Sequence, residues 1–275
     1  MVRITTLIEN SPGEHHGLST EHGISFCVEK DGRKIIFDTG QSGTFLKNAA
    51  ELAIDLSDAE HVVLSHGHYD HSGGFRSLAG AAKDFNLWTG KGFFTPKYGF
   101  KKGACEFLGN NFDESFIREA GIKHRTAAAP LEEIAPGIFI LADFPRIHPD
   151  ETINPRFVLE KNGAFEPDAF NDEILLAVET KAGFVVLMGC SHPGMRNMLD
   201  AVKERLKGPI AAVLGGTHLV EARGPVLEKS LDYLKNARIP FIGMSHCTGK
   251  EGMERLEAEC PGFFRNATGT SLLLG

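Results

Sequence analysis

The segment LSHGHYDHSGG, residues 64–74, sets His66, His68, Asp70 and His71 within one short turn. In an extended chain alternate side chains share a side, so His66 and His68 can grip one metal ion together. Asp70 and His71 follow after the chain turns, where they can address a second ion. Imidazole with carboxylate, and no thiolate cluster, suits zinc, iron or manganese in an open catalytic site. Three further histidines repeat the setting of His66, an apolar run ending in a hydroxyl residue and then histidine: Ser191-His192, Thr217-His218 and Ser245-His246. Ligands of open α/β sheets collect beyond the carboxyl ends of strands, beside helix N-termini. The four histidines are therefore expected to converge although they span residues 66 to 246.

The elements that must position them are legible. GISFCVEKDGRKIIFDTG reads as a hairpin about Asp31-Gly32. HVVLSH is a short buried strand, followed by a helix in GGFRSLAGAAKDF. A helix in DESFIREAGI and the strand pair EILLAVETKAGFVVLMG come next. Helix 195–207, strand IAAVLGG, helix 225–236, strand IPFIGM and helix 250–259 complete the chain. Pro193 suits a first helical position, and Thr248 with Glu251 reads as a capping box. Early hairpins followed by alternating strands and helices predict α/β layering. Residues 1–275 are expected to form a single domain. Residues 88–172, rich in Phe, Pro, Gly and Lys, are expected to be an insertion or lid within it.

A net charge of −7 argues against a nucleic-acid or anionic-membrane surface. The chain has no apolar run of membrane-spanning length and no signal-peptide pattern at its start. Five widely spaced cysteines form no disulfide framework and fit a reducing cytoplasm.

HGHYDH at 66–71 resembles the signature of the metallo-β-lactamase superfamily, and IIFDTG at 35–40 and SHCTG at 245–249 resemble its other landmarks. The resemblance implies a four-layer αββα sandwich with metals at one edge. With NDEILLAVET, VVLMGCSHPG and LGGTHL, the pattern resembles a subgroup that includes archaeal dihydropterin-methyl-(ribofuranosyl)aminobenzene 5′-phosphate synthases. By that resemblance His66 and His68 hold a first metal, and Asp70, His71 and His246 hold a second. The family's usual separate histidine motif is not apparent between 140 and 175, and His192 is assigned as the third ligand of the first metal. Asp38 braces the ligand loop. Cys190 stands where most of the superfamily has a bridging aspartate, so a thiolate bridge, a metal-bound water or a single-metal site all stay open. Loss of that carboxylate leaves the site more positive and favours anionic substrates.

The expected cofactor is one or two divalent ions, with zinc ahead of manganese, iron and magnesium. Asp70 and His218 are the catalytic candidates, His218 as proton donor or substrate contact. Lys97, Tyr98, Lys101 and Lys102 of TPKYGFKKG, with Thr248 and Lys250, are candidate contacts for a small, partly aromatic anion. His15, His16 and His22 read as a loop at the rim or in solvent, and His61, His124 and His148 as surface residues. Three classes compete. They are a transferase of the synthase kind, a metallohydrolase of a phosphoester or lactone, and a di-iron redox module. Homo-oligomers are compatible with each.

Overall fold

A computed structural model describes residues 1–275. Two sheets stack face to face between helices. The first runs in the order Ser271–Leu274, Val2–Ile8, Ser25–Lys30, Arg33–Phe37, His61–Val63, Asn86–Gly90, Lys123–Ala127. The second runs Phe241–Met244, Ile210–Gly215, Gly183–Met188, Leu175–Thr180, Ile138–Leu141, Leu131–Ala135.

Period-two alternation within continuous apolar strands explains the layering. In Gly183–Met188, Val185 and Leu187 join Phe26, Phe37, Val63 and Ile140 in a core between the sheets. Val186 and Met188, on the opposite face, pack with Met198 and Leu199 of helix Met195–Leu206 and Leu231 of helix Pro225–Asn236. On the far side, Ile36, Val62 and Leu64 pack against Phe45 of helix Thr44–Glu51 and Phe75 and Leu78 of helix Phe75–Ala81. Three cores between four layers give the expected αββα sandwich.

The hairpin pairs strands Ser25–Lys30 and Arg33–Phe37, with Asp31 and Gly32 both at positive φ as a tight turn of this kind requires. Residues 88–172 are not one insertion. Asn86–Gly90 and Lys123–Ala127 complete the first sheet, and Leu131–Ala135 and Ile138–Leu141 complete the second. Only Lys97–Lys101, Ala104–Phe107, Phe157–Lys161 and Ala164–Pro167 stand apart, as a four-stranded sheet over the ligand edge. The Phe/Gly/Lys texture of the region concealed strands that owe their pairing to distant partners.

Two helix starts also differ from expectation. Helix Met195–Leu206 begins two residues after Pro193, with Gly194 as its N-cap at φ 101°. Helix Gly249–Glu259 carries no side-chain cap, because the Thr248 hydroxyl is turned to the Thr217 hydroxyl at 3.0 Å. No helix is long and apolar enough to cross a membrane.

Candidate metal centre

His66, Cys190, His192 and His246 follow strand ends, Asp70 and His71 lie in the short helix Tyr69–Ser72, and several residues of these loops occupy left-handed backbone. Asp38, Ser191, His218 and His246 have φ of 57°, 61°, 54° and 53°. Gly189 is required for another reason. A Cβ there would meet the Ser65 hydroxyl oxygen at 2.2 Å, so the two ligand loops approach closely only without a side chain.

The convergence predicted from sequence is present. His66, His68 and His192 form one group, and Asp70, His71, Cys190 and His246 a second, with ligand atoms in each lying within 4.8 Å of one another. Cys190 also belongs to a third grouping with His192 and His218, which places it between the two sets. All seven residues of the first two groups are buried.

Ring orientation is fixed by the nitrogen that faces away from each group. His71 Nδ1 lies 2.7 Å from Asp38 Oδ2, His66 Nδ1 lies 3.0 Å from the Ser65 hydroxyl, and His246 Nδ1 lies 2.9 Å from Asn10 Oδ1. The Nε2 atoms of these rings are thereby turned inward. Asp38 also accepts hydrogen bonds from Ser65 N at 2.6 Å and Ser65 Oγ at 2.7 Å, so one carboxylate contacts both the ligand loop and the His71 ring. Glu9, whose carboxylate accepts the His246 backbone N–H at 2.6 Å, ties the last ligand loop to the first strand.

The chemistry of the donors fits a divalent ion. His68 Nε2, His192 Nε2 and His246 Nε2 are buried without a hydrogen-bond partner, a condition folded proteins rarely leave uncompensated. His71 Nε2 and Cys190 Sγ lie 3.2 Å apart, close enough to share one ion. Burial pushes His66, His68 and His192 well below the ordinary imidazole value, which leaves them neutral with lone pairs available. Asp70 is opposed by its own burial, but His71, His22 and His246 outweigh it and hold its carboxyl well below the usual range.

A cleft of about 740 Å³ opens onto both groups, lined by His68, Asp70, Cys190, His192, His218 and His246. Of the predicted substrate contacts, Lys101 and Lys250 line it. Tyr98, Lys102 and Thr248 do not line it, and Thr248 is fully buried. Lys97 is the clearest departure. A loop lysine is ordinarily solvated, yet Lys97 is 1% exposed and donates to Asp168 at 2.6 Å and Asp172 at 2.9 Å.

His218 Nδ1 lies 3.3 Å from Glu221 Oε2, and Arg156 Nε donates to Glu221 Oε1 at 3.0 Å. Burial lowers the His218 pKa, but Glu221 and Cys247 outweigh it and the net shift is upward. His22 belongs to the site, with Nε2 3.2 Å from Asp70 Oδ2, whereas His15 and His16 are exposed. His61 is buried rather than at the surface, accepting from the Trp88 indole at 3.1 Å. His124 and His148 are half-buried, against Thr89 and Asp200.

Sequence reasoning assigned no role to Glu9, Asn10, Arg156, Phe157, Phe170, Asp172, Glu173 or Cys247. Glu173 accepts the His192 backbone N–H at 2.9 Å, and burial pushes its carboxyl up to about 8. The one available signal was the acidic pair in NDEILL, set directly before an apolar strand where a charge has no ordinary place.

The description "Metallo-beta-lactamase superfamily" matches residues 22–88. The 7,8-dihydropterin-6-methyl-4-(beta-D-ribofuranosyl)-aminobenzene-5′-phosphate synthase of Methanocaldococcus jannaschii is 30% identical, over 94% of this chain and 95% of its own length. The chain belongs to the metallo-β-lactamase superfamily. A crystal structure of Tm1679, described as a metal-dependent hydrolase of the beta-lactamase superfamily, superposes with a TM-score of 0.88 at 30% identity, over 100% of both chains. Zn(2+)-bound PqqB from Methylobacterium extorquens shares the fold at a TM-score of 0.61 and 13% identity, over 99% of this chain and 100% of its own. Members of this superfamily are in general metal-dependent enzymes, and the buried His/Asp/Cys groups are where an ion could sit in this one.

Proposed function

We propose that the protein is a metal-dependent enzyme acting at a phosphate or diphosphate group of a small, partly aromatic molecule. The observation that carries this reading is the pairing of two donor groups on the floor of one cleft, whose mixed walls set Lys101, Arg156, Lys250 and Arg265 beside Glu9, Glu106 and Glu254. A cleft of about 740 Å³ suits a ligand of cofactor size. Phe157, Met253 and Tyr69 add flat apolar wall for an aromatic part.

His66, His68 and His192 would hold one divalent ion, zinc by preference, and Asp70, His71, His246 and Cys190 the other. When bound, such ions polarise phosphoryl oxygens and neutralise charge on a leaving group. The chain's own residues supply the rest. His218, held by Glu221 and through it by Arg156, carries a proton at the edge of the cleft and donates to a leaving oxygen. Lys101 and Lys250 hold the distal anion. Phe157 covers the histidines from the side of the small sheet, limiting the entry of water.

Similarity to the archaeal synthase supports a transferase, in which an aromatic amine attacks a pterin methylene carbon and diphosphate departs. Similarity to Tm1679, described as a metal-dependent hydrolase, supports a second reading, metal-dependent hydrolysis, with a phosphoester or a lactone as the candidate substrate. Two assays separate them. Dihydropterin-methyl diphosphate and ribofuranosylaminobenzene phosphate are incubated with metal-loaded protein, and coupled product and diphosphate are measured. Phosphodiesters, phosphomonoesters and lactones are screened in parallel. Coupling without background hydrolysis is expected for the transferase. Hydrolysis alone assigns the second reading, and silence in both overturns phosphate chemistry. A reducing, cytoplasmic setting accords with the free cysteines.

A further inference from the structure

We propose that Lys97 is a positioning residue for the first metal group, fixing His66, His68 and His192 from behind. This rests on the reading of those three histidines as metal ligands.

Lys97 lies on strand Lys97–Lys101 of the small sheet and reaches the rear of the ligand loop by two polar routes and one apolar contact. Its ammonium donates to Asp172 Oδ1 at 2.9 Å, and the other oxygen of Asp172 accepts the Gly67 backbone N–H at 2.8 Å. Gly67 is the residue between His66 and His68. Fixing that peptide sets the direction of both side chains. The same ammonium donates to Asp168 Oδ2 at 2.6 Å, while Asp168 Oδ1 accepts the Phe170 backbone N–H at 2.7 Å. The Phe170 ring is thereby held stacked on His192, with centroids 3.6 Å apart and planes at 15°. Lys97 Nζ itself lies 4.6 Å from the Phe170 centroid, on a ring face that attracts cations.

The stem makes the apolar contact. A Cβ at position 67 would come within 3.3 Å of Lys97 Cε and 2.4 Å of the Phe93 carbonyl oxygen. Glycine at 67 lets the lysine stem lie against the ligand loop.

A buried lysine between two buried carboxylates is a poor device for stability alone, because desolvation of three charges offsets much of their attraction. It is a good device for geometry. Its ion pairs join strand Lys97–Lys101 to residues 168–172, and Asp172 passes the tie to the ligand turn through the Gly67 N–H, so none of the three can shift without breaking one of these bonds. Outer partners of this kind usually change metal affinity by about 10–100-fold when lost.

The test measures metal binding by the metal-depleted full chain, by competition with a chromophoric chelator, and the visible spectrum of the Co(II)-loaded protein. In Lys97→Met, affinity of one of two ions is expected to fall by about 10–100-fold, with an altered Co(II) spectrum. Lys97→Arg, which keeps the charge and donors, is expected to recover part of the loss. Phe170→Leu tests the His192 branch alone, is expected to fold because it keeps an apolar side chain, and should weaken the same ion by a smaller factor. If Lys97→Met folds and binds both ions as the wild type does, the positioning role is wrong. If Lys97→Met does not fold, Phe170→Leu and Asp172→Asn with wild-type affinity and spectrum overturn it equally. If the wild type itself binds no ion, the reading of the histidines fails instead.

Discussion

The two donor groups lie side by side but are built from different materials. Around His66, His68 and His192 the surroundings are aromatic. Phe170 stacks on His192, and Phe157 stands 5.6 Å from His68 and 5.2 Å from His192 between ring centroids. Ionisable side chains reach that group from behind, through Lys97 and its two aspartates and through Glu173 on the His192 backbone. Around Asp70, His71 and His246 the surroundings are polar, with Asp38, Asn10, Glu9 and His22 making direct contacts.

The consequence appears in the proton balance. Burial leaves the first three imidazoles neutral. Burial also opposes charge on His71, yet Asp70 and Asp38 outweigh it and lift its pKa to about 9. A site of neutral rings in an apolar wall depends on geometry to attract a cation. In the second group the Asp70 carboxylate brings charge itself, while burial pushes the Cys190 thiol well above its ordinary value. Binding and positioning are thus divided between neighbours.

The largest expected effect comes from removing the neutral pair. His66→Ala with His68→Ala should abolish retention of one ion and leave the other, as read by elemental analysis of gently purified protein. Unchanged metal content would remove the assignment of both residues. A next, smaller effect is expected at the seam between the groups. Cys190→Ser replaces a buried thiol by a poor ligand at neutral pH and should weaken retention of an ion at the polar group. The Co(II)-loaded wild type should show sulfur charge-transfer absorption that the variant lacks. Ions located more than about 3 Å from the sulfur by anomalous scattering would rule out ligation, since zinc–thiolate bonds are near 2.3 Å.

The smallest effect concerns Glu221, beside the aromatic group. Its burial raises the pKa, but His218 and Arg156 outweigh that and depress it from 4.5 to about 2. A carboxylate with a depressed folded pKa adds stability that is fully present above its unfolded value. That increment is lost as pH falls from about 4.5 towards 2. Urea unfolding across this range should therefore show a shallower acid dependence in Glu221→Gln than in the wild type. Identical slopes would mean that the His218–Glu221–Arg156 chain contributes nothing to folding.

The candidate ligands were legible because their signal is local. His66-x-His68-x-Asp70-His71 is a matter of spacing along one turn, and His192, His218 and His246 each announce themselves by an apolar run and a hydroxyl residue. The layers were legible as well, since strands buried on both faces read as continuous apolar runs between amphipathic helices. What escaped was the support. Lys97 and Thr248 read as candidate contacts for an anion, and Thr248 as an N-cap, because neither buried environment is encoded by its neighbours in sequence.

The sequence by itself therefore determined which side chains could bind metal and which strand ends carry them, because backbone periodicity and turn chemistry act over a few residues. Tertiary structure alone decided what holds those side chains in place. Asp172 reaches Lys97 across 75 positions, and Glu9 reaches His246 across 237. Such contacts depend on the closure of the sandwich. Burial then converts an ordinary lysine and two aspartates into a paired network, because charges removed from water must find one another.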